Sequence, residues 1–230
     1  MNCFLDTNVI IAYIFSLDNL NKYSKCIVFK SDNKYYSYNV KKEVDKVFYR
    51  KNFDFERFFS KVSLELDAFN DFELLSRSEL QNCIDNFDNI GNFNVNDMHS
   101  SFEKMWNEFN FGENQEIFII KLKLNDFIRN FEALHHLRKL NFYNEMILVP
   151  NHSKKNPLIL DKIEKENLRE LLHGEDENIL FDLNEFCQKN RDLNLKFVSA
   201  DSDFLNVVNC LIEELCISDC ISLKEFNVNN

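Results

Sequence analysis

Glycine and proline are nearly missing from this chain, at three and two among 230 residues. So small a supply of turn-formers excludes a turn-rich β-sandwich and favours long helices with short connections. No Cys-x-x-Cys pair occurs, and the tightest spacing is Cys216-x-x-x-Cys220. The seven cysteines (Cys3, Cys26, Cys83, Cys187, Cys210, Cys216, Cys220) are odd in number and lie mostly in apolar runs. A zinc site or disulfide framework does not fit; reduced, buried thiols of an intracellular protein do. No apolar run approaches the ~18 residues that span a bilayer, and no basic stretch opens the chain as in a signal peptide. The expectation is a soluble, cytoplasmic protein with no membrane partner.

Positive charge is also short. The chain carries 27 Lys/Arg against 38 Asp/Glu, a net charge of −11, which argues against nonspecific coating of nucleic acid. The deficit is uneven, because between Lys22 and Lys51 nine Lys/Arg face only three acids. A locally basic face beside carboxylates suits an enzyme acting on a polyanion, and a solvated helix face explains the lysines equally well. What the chain has in quantity is apolar side chain: 45% hydrophobic residues and 24 phenylalanines. Such a chain buries a real core and is not generally disordered.

The first fifteen residues set the reading. An apolar run, Cys3 to Leu5, stops at Asp6-Thr7-Asn8, and a second apolar run begins at Val9. A strand ending at a carboxylate puts Asp6 at its C-terminal end, the edge where open α/β sheets bind ligands. Thr7 or Asn8 is expected to cap the next helix, near Val9 to Phe15, and the bland alternative makes Asp6 itself a cap or turn residue. A helix is expected from Asp18 to Phe29 and a short strand over Lys34 to Tyr38. Val40, Val44, Val47 and Phe48 then recur at helical spacing, with Asn39 as cap and Glu43 in the first turn.

From Asp54 to Leu140 the pattern is helical without a convincing strand, notably over Phe55 to Phe69 and Ile117 to Leu140. An Asn/Asp-rich passage, Asn82 to Asn96, contains Gly91. Phe102, Trp106, Phe109 and Phe111 read as core. His135 and His136, as neighbours on a helix, point to different faces and make no metal site. A strand is expected in Tyr143 to Val149, a polar loop from Asn151 to Pro157, and a helix from Leu158 to Leu172 stopped by Gly174. Asp176 opens a further helix that buries Ile179, Leu180, Leu183 and Phe186. The pattern closes with a strand Leu195 to Ser199, a helix Phe204 to Cys210, a strand near Leu215 to Ile217 and a helix near Leu223.

Asp6, Asp201 and Asp203 thus follow strands, while Glu43 and Asp176 open helices. In a parallel sheet all five reach one edge. Several carboxylates share a site only when a cation neutralises them, and oxygen donors without His or Cys select Mg²⁺ or Mn²⁺. Such an ion suits phosphodiester hydrolysis.

Phe4-Leu5-Asp6-Thr7-Asn8-Val9-Ile10 resembles the opening of PIN-domain proteins, and Val198-Ser199-Ala200-Asp201-Ser202-Asp203-Phe204 resembles their closing motif. Glu43 and Asp176 resemble the family's second and third acidic positions. The likeness covers roughly residues 1–48 and 174–226. It implies a Rossmann-like α/β/α PIN fold with a mainly parallel central sheet, in which residues 1–50 and 174–230 form the nuclease core. Residues 51–173 would be a helical insertion, far longer than a minimal member needs, and Ser199 stands where threonine is common.

The implied activity is Mg²⁺/Mn²⁺-dependent endoribonuclease action leaving a 5′-phosphate and a 3′-hydroxyl. Asp6, Asp176 and Asp201 would be ligands, with Glu43 a ligand directly or through water, and Asp203 either a ligand or a helix cap. Thr7, Asn8 and Ser199 would support them, and Lys34, Lys41, Lys42 and Lys46 would meet RNA phosphates. Single-stranded or structured RNA is the expected partner, and an antitoxin-like or other protein and a homodimer are compatible with the resemblance. Two alternatives stay open: a catalytically inactive PIN-like module that binds RNA or protein, and a DNA-directed flap-type nuclease of related fold.

Overall fold

The computed structural model describes residues 1–150 and 155–226. Residues 151–154 of the expected polar loop lie outside them. In chain order the first elements are β1 (Asn2–Leu5), α1 (Thr7–Ile14), α2 (Asn21–Lys30), β2 (Asn33–Ser37) and α3 (Tyr38–Leu66). Next come β3 (Leu74–Ser76), α4 (Arg77–Asp85), α5 (Val95–Glu108), β4 (Asn114–Glu116), α6 (Ile117–Glu145) and β5 (Ile147–Val149). The chain then forms α7 (Pro157–Lys165), α8 (Asp176–Lys189), β6 (Leu195–Ser199), α9 (Ser202–Cys210), α10 (Ile212–Leu215) and β7 (Asp219–Ser222). Short 3₁₀ turns at Leu168–Leu171 and Arg191–Leu193 complete it. No helix among the described residues is long and apolar enough to cross a membrane.

The chain divides into two compact units. One comprises Met1–Ser16, Leu20–Val47 and the described residues from Leu140 on; the other comprises Leu17–Asn19 and Phe48–Lys139. The first unit holds a five-stranded sheet in the order β5-β2-β1-β6-β7, with every neighbouring pair parallel. This is a Rossmann-like α/β/α arrangement. Strand β1 is central and buried on both faces, Cys3, Phe4 and Leu5 being fully covered, which is why it reads as an unbroken apolar run. The chain leaves β1 to one side toward β2 and later returns on its other side as β6. The switch point between β1 and β6 is therefore the crevice where such a sheet admits ligands.

The second unit is built on the Phe48–Lys139 stretch. Without glycine or proline inside them, α3 and α6 each run 29 residues. Two separate helices, ending at Phe48 and starting again at Phe55, were expected from the spacing; nothing between those residues breaks the turn, and one continuous helix results. Phe55, Phe58, Phe59, Phe93 and Phe131 form a cluster with ring centroids 4.8 to 6.1 Å apart, tilted or edge-to-face except for the stacked pair Phe55 and Phe59. Phe102 and Trp106 are buried, and the half-buried Phe109 and Phe111 lie edge-on to Phe127 and Trp106.

Several expectations need correction. The helical region contains a two-stranded antiparallel ribbon, β3 with β4. Its strands have three residues each, too few to show alternation, and pairing across the unit decides them. The strand expected at Leu215 to Ile217 is displaced. Glu213 and Glu214 open α10, Cys216 ends it at a left-handed φ of 59°, and β7 pairs with β6 from Asp219. Around Leu223 there is a turn, not a helix; the Leu223 N–H donates to the Ser199 carbonyl at 2.8 Å. Asn39 is no cap: Ser37 Oγ accepts from Val40 N–H, and Asn39 Nδ2 donates to Asp182. All seven cysteines are free as expected, yet only Cys3 and Cys187 are buried.

Candidate active site

Asp6 terminates β1, and its backbone N–H still donates to Val198 of β6 at 3.0 Å. That bond fixes the residue on the β1/β6 crevice. Its side chain does what the bland reading said, since Oδ1 accepts from Thr7 N–H at 2.7 Å and caps α1. Thr7 and Asn8 are not the caps; they lie in the first turn, where their side chains are free for other contacts. Asp6 Oδ2 accepts from Ser199 Oγ at 2.6 Å and from Asn8 Nδ2 at 2.8 Å. Asn8 Oδ1 in turn accepts from Ala200 N–H at 2.8 Å, which ties the end of β1 to the end of β6. Ser199 Oγ also accepts from Asp201 N–H at 3.0 Å. One serine hydroxyl thus positions two acidic residues.

Glu43 lies in the second turn of α3, because that helix starts at Tyr38. Thr7 Oγ1 donates to Glu43 Oε2 at 2.7 Å, and this bond brings the glutamate to the Asp6 end of the sheet. Asp176 opens α8 behind the left-handed Gly174, φ 56°, and its Oδ2 accepts from His173 N–H at 2.7 Å. Asp201 caps α9, accepting from Asp203 and Phe204 N–H at 2.9 and 3.1 Å. The cap is therefore Asp201, and Asp203 stands in the first turn with its carboxylate not engaged in capping.

The electrostatics join these residues. Asp6 is only 4% exposed. Burial pushes its carboxyl up to about 7; hydrogen bonds from Ser199 and Thr7 oppose the rise, and the charges of Glu43 and Asp176 add to it. Asp176 is pushed up to about 6, first by burial, against the His173 N–H, with Glu43 and Asp201 contributing repulsion. Asp6, Glu43, Asp176 and Asp201 are thus close enough to feel one another. Among the described residues, however, no three His, Cys, Asp or Glu side chains are grouped to hold a metal ion as they stand. The donor chemistry fits a hard divalent cation, since every group is an oxygen donor and the raised affinity of Asp6 and Asp176 for a proton marks a place where positive charge is favoured.

The basic segment is partly committed elsewhere. Lys42 Nζ pairs with Glu175 at 3.1 Å, and Lys41 Nζ lies 5.5 Å from the Tyr143 ring centroid. Asn178, Lys42 and Lys46 together hold the Glu175 carboxyl below its ordinary range. Glu175, directly before Asp176 at the opening of α8, is not among the expected site residues, and its place beside Asp176 was the available signal. No protein-family model, curated protein or solved structure matches the chain.

Proposed function

We propose that this chain is a Mg²⁺/Mn²⁺-dependent endonuclease of PIN type acting on RNA. The observation that carries the reading is Asp6, buried at the sheet's switch point, its pKa raised first by that burial and further by the neighbouring charges of Glu43 and Asp176. Asp6, Asp176, Asp201 and Glu43 would hold the ion, with Asp203 at the rim. Bound there, the ion would neutralise the acids and polarise a phosphate oxygen. Ser199 and Asn8 hold the Asp6 carboxylate in one orientation, and Thr7 does the same for Glu43. Loss of the Asp6 proton would accompany binding of the ion, so binding would be favoured by rising pH. Lys34, Lys41 and Lys46 would carry backbone phosphates; Lys42 would do so only after leaving Glu175.

The test is cleavage of mixed single-stranded RNA and DNA with Mn²⁺, with and without excess chelator. RNA cleavage that the chelator abolishes supports the reading, and cleavage of DNA alone moves the chain to the flap-type alternative. A second reading has its own support: the capping bonds on Asp6 and Asp201 and the His173 N–H bond to Asp176, together with the lack of a ready three-carboxylate group among the described residues, suit a PIN-like module that binds RNA or protein without cutting. RNA binding with no cleavage under any divalent ion would establish that one.

A further inference from the structure

One end of the unit built on Phe48–Lys139 holds out large apolar side chains. Phe72, in the turn after α3, is 89% exposed, and Leu74, Phe118 and Leu122 are each exposed by half or more. Bonds from Phe118 N–H to the Asp71 carbonyl and from Ile117 N–H to the Glu73 carbonyl, 3.0 and 3.1 Å, join this turn to the start of α6. The turn itself is fixed. Asn70 Oδ1 accepts from Phe72 N–H at 3.1 Å, and the Asn70 carbonyl accepts from Glu73 N–H at 3.0 Å. An ordered backbone thus holds Phe72 out in water, which marks an interaction surface. Its rim is acidic: residues 64–74 and 114–122 carry five acids and one base. That base, Lys121, is paired with Asp71 and Asp67 at 2.7 and 3.4 Å. Such a rim repels another copy of itself, RNA and anionic lipid alike, so it selects a basic partner with an apolar centre. Helix α2 offers that chemistry on the same chain, with three lysines and no acid. Lys22, Lys25 and Phe29 recur at i, i+3 and i+7 on one face, both lysines exposed and Phe29 79% exposed. Among the described residues no ion pair engages Lys22 or Lys25, and no ring or cation contact engages Phe29, Phe72 or Phe118.

We infer that the chain self-associates head to tail, the acidic apolar end around Phe72 of one copy seating on the basic face of α2 in another. Phe72 and Phe29 form the apolar contact, and Lys22 and Lys25 meet Glu73 and Glu116. The two surfaces differ, so each contact leaves one of each kind free and association continues into a ring or an open chain. The contact is independent of the carboxylate site and of any cleavage.

Sedimentation velocity on the full chain, in chelator, from about 1 µM to about 500 µM, tests this. The weight-average mass is expected to rise from that of the monomer with concentration, and less so when salt is raised from about 100 mM to about 1 M. Phe72→Ala should weaken association about tenfold or more, and so should the charge reversal Lys22→Glu with Lys25→Glu on α2. Glu73→Lys with Glu116→Lys should do the same from the other side. All these positions are exposed, and thermal melting like that of wild type confirms each fold. An equimolar mixture of the two charge-reversed proteins should associate where neither does alone, because the acidic end of one again meets a basic α2. Asp6→Asn should leave the association unchanged, which separates failure here from failure of the nuclease reading. A chain that stays monomeric throughout, leaving the Phe72 end for a basic partner of another kind, overturns the inference. So does association that Phe72→Ala and the α2 reversal leave undiminished, or a mixture no more associated than its components.

Discussion

Asp6 is held by three hydrogen bonds and opposed by burial and two neighbouring charges, and burial prevails because its carboxyl rises to about 7. A folded-state pKa above the ordinary 3.8 means that the folded protein binds the proton more tightly than the unfolded chain does. Stability from this residue is therefore fully present below about pH 4 and lost as pH rises to about 7, an effect of a few kcal/mol for so buried a group. Asp176, at about 6, adds a smaller loss of the same sign. Melting of the chelated protein should accordingly fall between pH 4 and 7, and Asp6→Asn should flatten that fall while abolishing cleavage. A profile unchanged by Asp6→Asn would remove the carboxyl from this role. Ser199 opposes the rise, so Ser199→Ala should move the acid limb of the activity profile upward. It should also cost about 1–2 kcal/mol for the orphaned buried partners, as read by urea denaturation. An unmoved limb would mean that the hydroxyl does not hold Asp6.

At the scale of elements, helix termini carry both stability and site geometry. Asp201 caps α9 with two hydrogen bonds, so Asp201→Ala should lose about 1 kcal/mol of stability in addition to activity. Asp6→Asn, which keeps a side-chain oxygen for Thr7 N–H, should be far milder in the metal-free protein. Comparable melting of wild type and Asp201→Ala would deny the cap. Gly91, at φ 60°, sits so that an added Cβ would meet the buried Asp54 carboxylate. Gly91→Ala is expected to destabilise the Phe48–Lys139 unit by about 1–3 kcal/mol, measurable by thermal melting, with no effect on the acidic site. The sheet core was legible because β1 and β6 are short apolar runs stopped by acids. The helix expected from Leu158 to Leu172 with Gly174 as its stop was not: α7 ends at Lys165, the left-handed Asn167 leads into the 3₁₀ turn Leu168–Leu171, and Gly174, although left-handed, lies in the turn before α8. Strands β3 and β4 were not, since three-residue strands carry no periodicity and arise from pairing.

Over the whole molecule, the parallel order β5-β2-β1-β6-β7 brings residues from both ends of the chain to one edge. Asp6 and Asp201 are 195 positions apart in number, yet their strands are direct neighbours. The sequence supplied the acids and the strands; their meeting depends on a crossover that places β6 beside β1 instead of beside β5. The same topology leaves the chain's net charge of −11 opposing any polyanion, so RNA affinity should fall steeply with salt only through the few lysines near Glu43. Replacing Lys41 and Lys46 by Ala should reduce the slope of log affinity against log salt by up to about 2, and an unchanged slope would place the RNA track elsewhere. The central claim is that the four acids form one metal-dependent nuclease site. It is tested most directly by single-turnover cleavage of single-stranded RNA in Mn²⁺, comparing wild type, wild type in excess chelator, and Asp6→Asn. The expected result is cleavage by the first alone. Equal cleavage by all three, or none by wild type in any divalent ion, would contradict it.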